Sequence, residues 1–156
     1  MDHAALVKLY RDKGKLTLAD GNKRQIALLD PTKWSISDGA NWIYLLFDMF
    51  QIRAIAPQFS EVSLDLVEFA NKPTIYRTLP NFQSKNGPLI DGKIKFSMLK
   101  EPNWHKLLFQ ISQPVLVQLD TKSKVDFNVD ILFPLFSPNL KELYLGPEGD
   151  VKIIKN

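Results

Sequence analysis

The longest apolar stretch of the chain is Trp42-Ile43-Tyr44-Leu45-Leu46-Phe47-Asp48-Met49-Phe50, which only Asp48 interrupts. It falls far short of the ~20 apolar residues that a membrane-spanning helix needs. Ser37 or Asp38 is suited to cap a helix that begins before the stretch, and a helix that is apolar on most sides is normally buried. We therefore predict a central core helix that ends near Gln51, with a buried strand as the alternative for so short an apolar run.

Short strands separated by turn residues surround this segment. Leu16 and Leu18 alternate with polar neighbours, and Asp20-Gly21-Asn22 separates them from the apolar run 26–29, which predicts a hairpin. The apolar period is also two from Val62 to Leu66, which predicts another strand. The chain offers about nine or ten strands in all. The others are predicted at 74–79, 94–98, 115–119, 125–131, 143–145 and 151–154.

Two further segments have the spacing of amphipathic helices. One is 3–12, which Gly14 is placed to end, and the other begins at Pro102 and carries its apolar residues at Trp104, Leu107, Leu108 and Ile111. Short turns join strands in antiparallel pairs. We therefore expect an α+β fold, with a mainly antiparallel sheet of hairpin-connected strands and about three helices packed on one face. The length of 156 residues suits a single globular domain over 1–156.

Composition excludes several kinds of chemistry. The chain has no cysteine, which excludes a disulfide framework, thiolate catalysis and a Cys-ligated zinc site. Its 2 histidines, His3 and His105, leave little material for a metal centre. No glycine-rich phosphate loop or hydrolase motif occurs. We expect no cofactor and no metal, and a non-enzymatic protein more than an enzyme. The N-terminus turns polar at once, which favours a cytoplasmic location and no membrane contact.

The positive charge is concentrated in one segment. Residues 72–106 hold seven basic and two acidic residues, a net of +5, whereas residues 34–71 hold one basic and five acidic residues, a net of −4. The two segments could meet within the protein or between copies. The candidate binding residues in the basic segment are Tyr76, Arg77, Lys93 and Lys95. Aromatic and basic side chains together are typical of single-stranded nucleic-acid binding, and an ordinary solvated lysine face is the alternative.

The loop 133–138 is a second candidate surface. The loop holds Phe133, Leu135 and Phe136 beside Pro134 and Pro138, and large apolar side chains form a partner surface when they are exposed. The alternative is a loop folded over the end of the core, since most large apolar groups are buried. Phe133 and Phe136 are therefore candidate binding residues.

Three functional hypotheses follow. The leading one is a non-enzymatic interaction module that uses segment 72–106 and loop 133–138 to bind a protein partner or a second copy. The second is a single-stranded nucleic-acid-binding domain that uses Tyr76, Arg77, Lys93 and Lys95. The third is an enzyme whose site is assembled from dispersed polar residues. Its candidates are Arg77, His105, Asp126 and Asp130.

Overall fold

Nine segments of the chain form strands, and all nine join one sheet in the computed structural model, which describes residues 1–156. The strands are β1 Lys15–Ala19, β2 Gln25–Leu29, β3 Ile43–Leu46, β4 Thr74–Thr78, β5 Ile94–Met98, β6 Val115–Leu119, β7 Phe127–Asn128, β8 Lys141–Leu145 and β9 Val151–Lys155. The helices are α1 His3–Lys13, α2 Ile52–Ile55, α3 Glu61–Glu68 and α4 Pro102–Ile111. The strand order is β7-β1-β2-β6-β3-β5-β4-β8-β9.

The sheet is mixed, so the prediction of a mainly antiparallel sheet of hairpin-connected strands is wrong. Three pairs are parallel, β1 with β7, β3 with β5 and β4 with β8. Five pairs are antiparallel, but only β1–β2 and β8–β9 are joined by short turns. Parallel neighbours are distant in the chain because they require a long crossover. Turn residues therefore could not reveal them.

Helices cover both faces of the sheet, so the prediction of three helices on one face is also wrong. On the first face, α1 and α4 bury Leu6 and Trp104 in a cluster with Ile43 and other strand residues. On the second face, α2 and α3 bury Ile52 and Val67 in another cluster. Strand side chains alternate between the two clusters, because successive residues of a strand point to opposite faces.

The apolar stretch 42–50 forms the strand β3 rather than the predicted core helix. Its four residues are all buried, and β3 lies between β6 and β5 near the middle of the sheet. Short 3₁₀ turns at Ile36–Asp38 and Met49–Gln51 flank it. A strand covered on both faces has no polar side, so its sequence lacks the period of two that marks a half-exposed strand.

The segment Val62–Leu66 is helical, contrary to the prediction of a strand. Helix α3 begins after Ser60, whose hydroxyl accepts a hydrogen bond from the Ser63 amide at 3.3 Å. The helix buries Ser63 and Val67, whereas Val62 and Leu66 are exposed. The apparent period of two arose because apolar residues lie on the outer side of this helix as well as on its inner side.

Two helix predictions are confirmed. Helix α1 ends at Gly14, which has a φ of 69°, a left-handed conformation that glycine adopts without strain. Helix α4 begins with Pro102 and is capped by Glu101, whose carboxylate accepts a hydrogen bond from the Trp104 amide at 2.9 Å. The predicted strand 125–131 is reduced to β7, two residues long. None of the helices is long and apolar enough to cross a membrane.

Candidate nucleic-acid interface

A line of basic side chains crosses the first face of the sheet from β5 to β9. Lys95 pairs with Arg77, Arg77 pairs with Tyr144, and Tyr144 pairs with Lys152. Directly paired residues point to the same side of a sheet. We call Lys95, Arg77, Tyr144 and Lys152 the basic row. Neighbouring strands are about 4.8 Å apart, so the row extends about 14 Å across four strands.

The face that carries the basic row is fixed by the buried residue beside it. Ile75 belongs to the core cluster of the first face, and Arg77 lies two residues further along β4, so both side chains point the same way. Lys93 precedes β5 with the same parity as Lys95. Its ammonium nitrogen lies 5.8 Å from the centre of the Tyr144 ring, a distance compatible with a cation–π contact.

Arg77 is held in place by a carboxylate. Its Nε donates to Glu142, and the two side chains are only 27% and 15% exposed, respectively. Glu142 pairs with Ile75 and therefore lies on the same face as the row. The pair fixes the guanidinium direction through a charge-assisted hydrogen bond. It also neutralises part of the positive charge that the row and Lys93 carry.

Lys95 is a half-buried cation of the row. Burial lowers the pKa of Lys95 below its ordinary value of 10.5, and the neighbouring Arg77 lowers it further, whereas Glu142 opposes the shift. Desolvation disfavours a charged amine. An anion bound at the row would supply the compensating charge that Lys95 lacks in the free protein.

Tyr144 is the aromatic residue of the row. Its ring is half-buried. The pKa of its hydroxyl is raised, first by desolvation and then by the nearby Asp150 carboxylate. The neutral phenol therefore persists at physiological pH, and the ring offers an uncharged surface between Lys93 and the guanidinium of Arg77.

Three of the six candidate residues, Arg77, Lys93 and Lys95, are brought together, and the aromatic ones are placed elsewhere. Tyr76 points to the second face, is 2% exposed and stacks on Phe96 with ring centres 5.0 Å apart. It is a core residue of the second face and does not belong to the basic row.

The loop 133–138 is folded onto the core. Phe133 is 1% exposed, its ring meets that of Trp104 edge-on, and its amide donates to the Asp20 carboxylate at 3.0 Å. Phe136 is half-buried, with the Arg24 guanidinium 3.8 Å above its ring. This loop therefore presents no apolar patch built on Phe133.

Sequence reasoning missed Tyr144, Lys152 and Glu142. The hairpin that carries them was predicted, but its position beside β4 depends on a parallel pairing that links Arg77 to a residue 67 positions later. The alternation of Glu142 and Tyr144 on one side of β8 was the available signal. It could not be interpreted without the neighbouring strand.

The residues of the dispersed-enzyme hypothesis do not converge. Asp126 accepts a hydrogen bond from the Thr17 amide, and Asp130 lies 3.6 Å from the terminal amine of Met1. His105 hydrogen-bonds with the Phe47 carbonyl oxygen at 3.1 Å, and Arg77 contacts Glu142. Each residue has a different partner, and none contacts another member of the set. No cluster of three potential metal-ligating side chains occurs.

Comparison with solved structures identifies the fold. A variant of Sua5 from P. abyssi superposes with a TM-score of 0.70 at 11% identity, over 92% of this chain and 50% of that protein. YciO from E. coli gives a TM-score of 0.65 at 13% identity, over 99% of this chain and 88% of YciO. The MTH1692 protein from Methanobacterium thermoautotrophicum gives 0.57 at 8% identity, over 97% of this chain and 84% of that protein.

These similarities define the architecture. The chain has the mixed-sheet fold shared by Sua5 and YciO, and it spans about half the length of the P. abyssi protein. No protein-family profile matches the sequence. No curated protein matches it either.

Proposed function

We propose that this protein binds single-stranded nucleic acid along the basic row and Lys93. The observation that carries the proposal is the cross-strand alignment of Lys95, Arg77, Tyr144 and Lys152 on one face of four adjacent strands. Sheet platforms that bind single strands combine backbone-tracking cations with aromatic rings on which bases stack. A cytoplasmic location, expected from the sequence, would suit such a ligand.

The chemistry of the row favours phosphate contact over base readout. Arg77 is directed by Glu142, and Lys93 lies beside the Tyr144 ring, so one base could stack where its flanking phosphates meet cations. The row presents no amide side chain that could read a base edge. The proposed binding is therefore tolerant of sequence and sensitive to salt.

Charge-removing variants test the proposal. The double variant Lys93→Gln/Lys95→Gln is expected to weaken binding to a fluorescent oligothymidine of about ten nucleotides by about tenfold, because two phosphate contacts are lost. The matched control is Lys122→Gln/Lys124→Gln, which removes the same charge from exposed residues between β6 and β7. Anisotropy titrations measure both, and circular dichroism verifies folding. Equal losses in the two double variants would refute a localised site.

A second candidate function is association between copies through β9. This strand forms one edge of the sheet, and all five of its residues are exposed. Helix α3 contacts the turn between β8 and β9 through the Ser63 hydroxyl, which donates to the Gly146 carbonyl oxygen, and it adds the exposed apolar side chains of Val62 and Leu66. An unpaired, apolar strand edge is a template for pairing with another chain.

The residue order of β9 is compatible with antiparallel self-pairing. With Ile153 opposite Ile153 of a second copy, Lys152 lies opposite Ile154, and Lys155 lies opposite Val151. No lysine then faces another lysine, so like-charge repulsion between direct pairs is avoided. The two copies would also place their basic rows on one continuous face.

The oligomeric state tests this candidate. Sedimentation velocity is expected to detect a concentration-dependent dimer that Ile153→Lys converts to monomer, because the new charge would be buried at the strand edge. The matched control is Ile36→Lys, at a residue that is 90% exposed and distant from β9, and it should leave the dimer intact. A monomeric wild-type protein at high concentration would contradict self-association.

A further inference from the structure

A cavity of about 560 Å³ opens on the second face, away from the basic row. Its walls come from the turn after β2, from α2, from the segment 83–87 and from the two residues before β6, and Tyr44 of β3 also lines it. The volume falls within the range typical of small-molecule sites. It belongs to no surface used in the functions proposed above.

Hydrogen bonds hold the segment 83–87, which forms one wall of the cavity, in a defined position. The Ser84 hydroxyl donates to the Ile55 carbonyl oxygen of α2 at 2.6 Å, and the Asn81 amide donates back to that hydroxyl at 3.0 Å. Gly87 lies so close to Tyr44 that an added Cβ would be 2.9 Å from the phenolic oxygen. The cavity is therefore preorganised, which reduces the entropic cost of binding a ligand.

Tyr44 brings a hydroxyl without a protein partner to this cavity. The residue is 4% exposed and lines the cavity, and its hydroxyl makes no hydrogen bond within the protein. Burial raises the pKa of Tyr44, so the group is a neutral phenol that can both donate and accept. The hydroxyl is therefore free to form a hydrogen bond with a molecule that enters the cavity.

Four further side chains of the lining keep polar atoms free. Asp30 uses Oδ1 to accept from the Thr32 amide at 2.9 Å and hydroxyl at 2.8 Å, which leaves Oδ2 available. The hydroxyls of Thr32 and Ser84 are used within the protein, whereas three amide side chains of the lining make no hydrogen bond within it. They are Gln83, Asn86 and Gln113. The carboxylate supplies hydrogen-bond acceptors, and the amide and phenol groups supply both donors and acceptors.

The charge of the lining selects the ligand class. Asp30 is the only charged residue that lines the cavity, and no lysine or arginine does, so a phosphate or carboxylate ligand would be repelled. Trp34 uses its indole N–H on the Gly39 carbonyl oxygen at 2.9 Å, so its ring contributes apolar surface. A planar nucleobase would favour a slot between two aromatic rings. Neither Trp34 nor Tyr44 forms part of an aromatic pair, so the cavity has no such slot.

We propose that this cavity binds a neutral saccharide. A sugar ring carries several hydroxyls, each both donor and acceptor, which match the free amides, the Tyr44 hydroxyl and Asp30 Oδ2. Its C–H face is apolar and suits the Trp34 ring. The absence of a cationic side chain on the lining disfavours anionic saccharides.

Ligand-detected NMR tests the proposal with glucose, galactose, N-acetylglucosamine and maltose as probes, and with glucose 6-phosphate and adenosine as comparison compounds. At least one neutral saccharide should bind and shift the amide signals of 83–87, and glucose 6-phosphate should bind more weakly than glucose. If no saccharide of the panel binds, or if adenosine binds and the saccharides do not, the proposal is overturned.

Conservative variants localise the site. Tyr44→Phe is expected to weaken saccharide binding about fivefold, the factor that corresponds to about 1 kcal/mol for one hydrogen bond. Its melting temperature should not fall, since the hydroxyl has no protein partner. Asp30→Asn keeps the acceptor that caps Thr32 and should also weaken binding. The matched control, Tyr76→Phe, removes a hydroxyl from a buried residue that does not line this cavity and should leave the affinity unchanged. Equal effects of the two tyrosine variants would overturn the assignment.

Discussion

At the scale of single residues, Glu142 influences both the position of Arg77 and the pKa of Lys95. Its carboxylate binds Arg77 and partly offsets the desolvation that lowers the pKa of Lys95. In the free protein, the charge of Lys95 is therefore only partly compensated by Glu142. A bound phosphate group would provide the remaining compensation, which links nucleic-acid binding to the protonation of Lys95.

The pKa of Lys95 should rise when an oligonucleotide binds. The pKa is lowered in the free protein, and a phosphate nearby favours the protonated amine. Protonation thus accompanies binding, and affinity should fall as the pH rises through the Lys95 pKa. NMR titration of the lysine Cε signals, with and without oligothymidine, measures both values. An unchanged Lys95 titration in the saturated complex would exclude contact between Lys95 and the strand.

At the scale of elements, Lys100 joins the acidic and basic segments of the chain. Its ammonium donates to the carbonyl oxygens of Val67 at 3.2 Å, Glu68 at 2.6 Å and Ala70 at 2.8 Å. These carbonyls lie at the C-terminal end of α3, where a positive charge is favourable. The charged segments thus meet through a lysine and a helix end, and no ion pair connects 34–71 with 72–106.

Replacing Lys100 should loosen α3. Lys100→Met is expected to lower the free energy of unfolding by about 1 kcal/mol, because three carbonyl groups lose a charged donor. Lys106→Met provides the control, since Lys106 is exposed on α4 and makes no hydrogen bond or ion pair. Urea denaturation measures the difference. Equal stability of the two variants would mean that the Lys100 contacts contribute nothing.

At the scale of the whole molecule, local pattern predicted the local structure. Helices α1 and α4 and the hairpin β1–β2 depend on neighbouring residues, such as Gly14, Pro102 and the turn 20–22. The segment 42–50 was predicted as a helix, with a strand as the alternative, because a strand buried on both faces resembles a buried helix in composition. The parallel pairs join distant segments, and no turn encodes them.

The candidate site was predictable only in part for the same reason. Arg77, Lys93 and Lys95 belong to antiparallel neighbours and were identified from their charge. Tyr144 and Lys152 enter the row through the β4–β8 pairing, which the sequence did not reveal. Tyr76 and Phe133 were candidates as aromatic residues near basic or proline-rich sequence, but each is needed by a hydrophobic cluster on one face of the sheet.

The salt dependence of oligonucleotide affinity tests the central claim most directly. The surface formed by the basic row and Lys93 has four cations, and single strands contribute a slope of about −0.7 per neutralised phosphate. A plot of log affinity against log salt concentration for oligothymidine should therefore have a slope of about −3, reduced to about −1.5 in Lys93→Gln/Lys95→Gln. A flat plot, or the absence of binding at low salt, would contradict the assignment of this surface to nucleic acid.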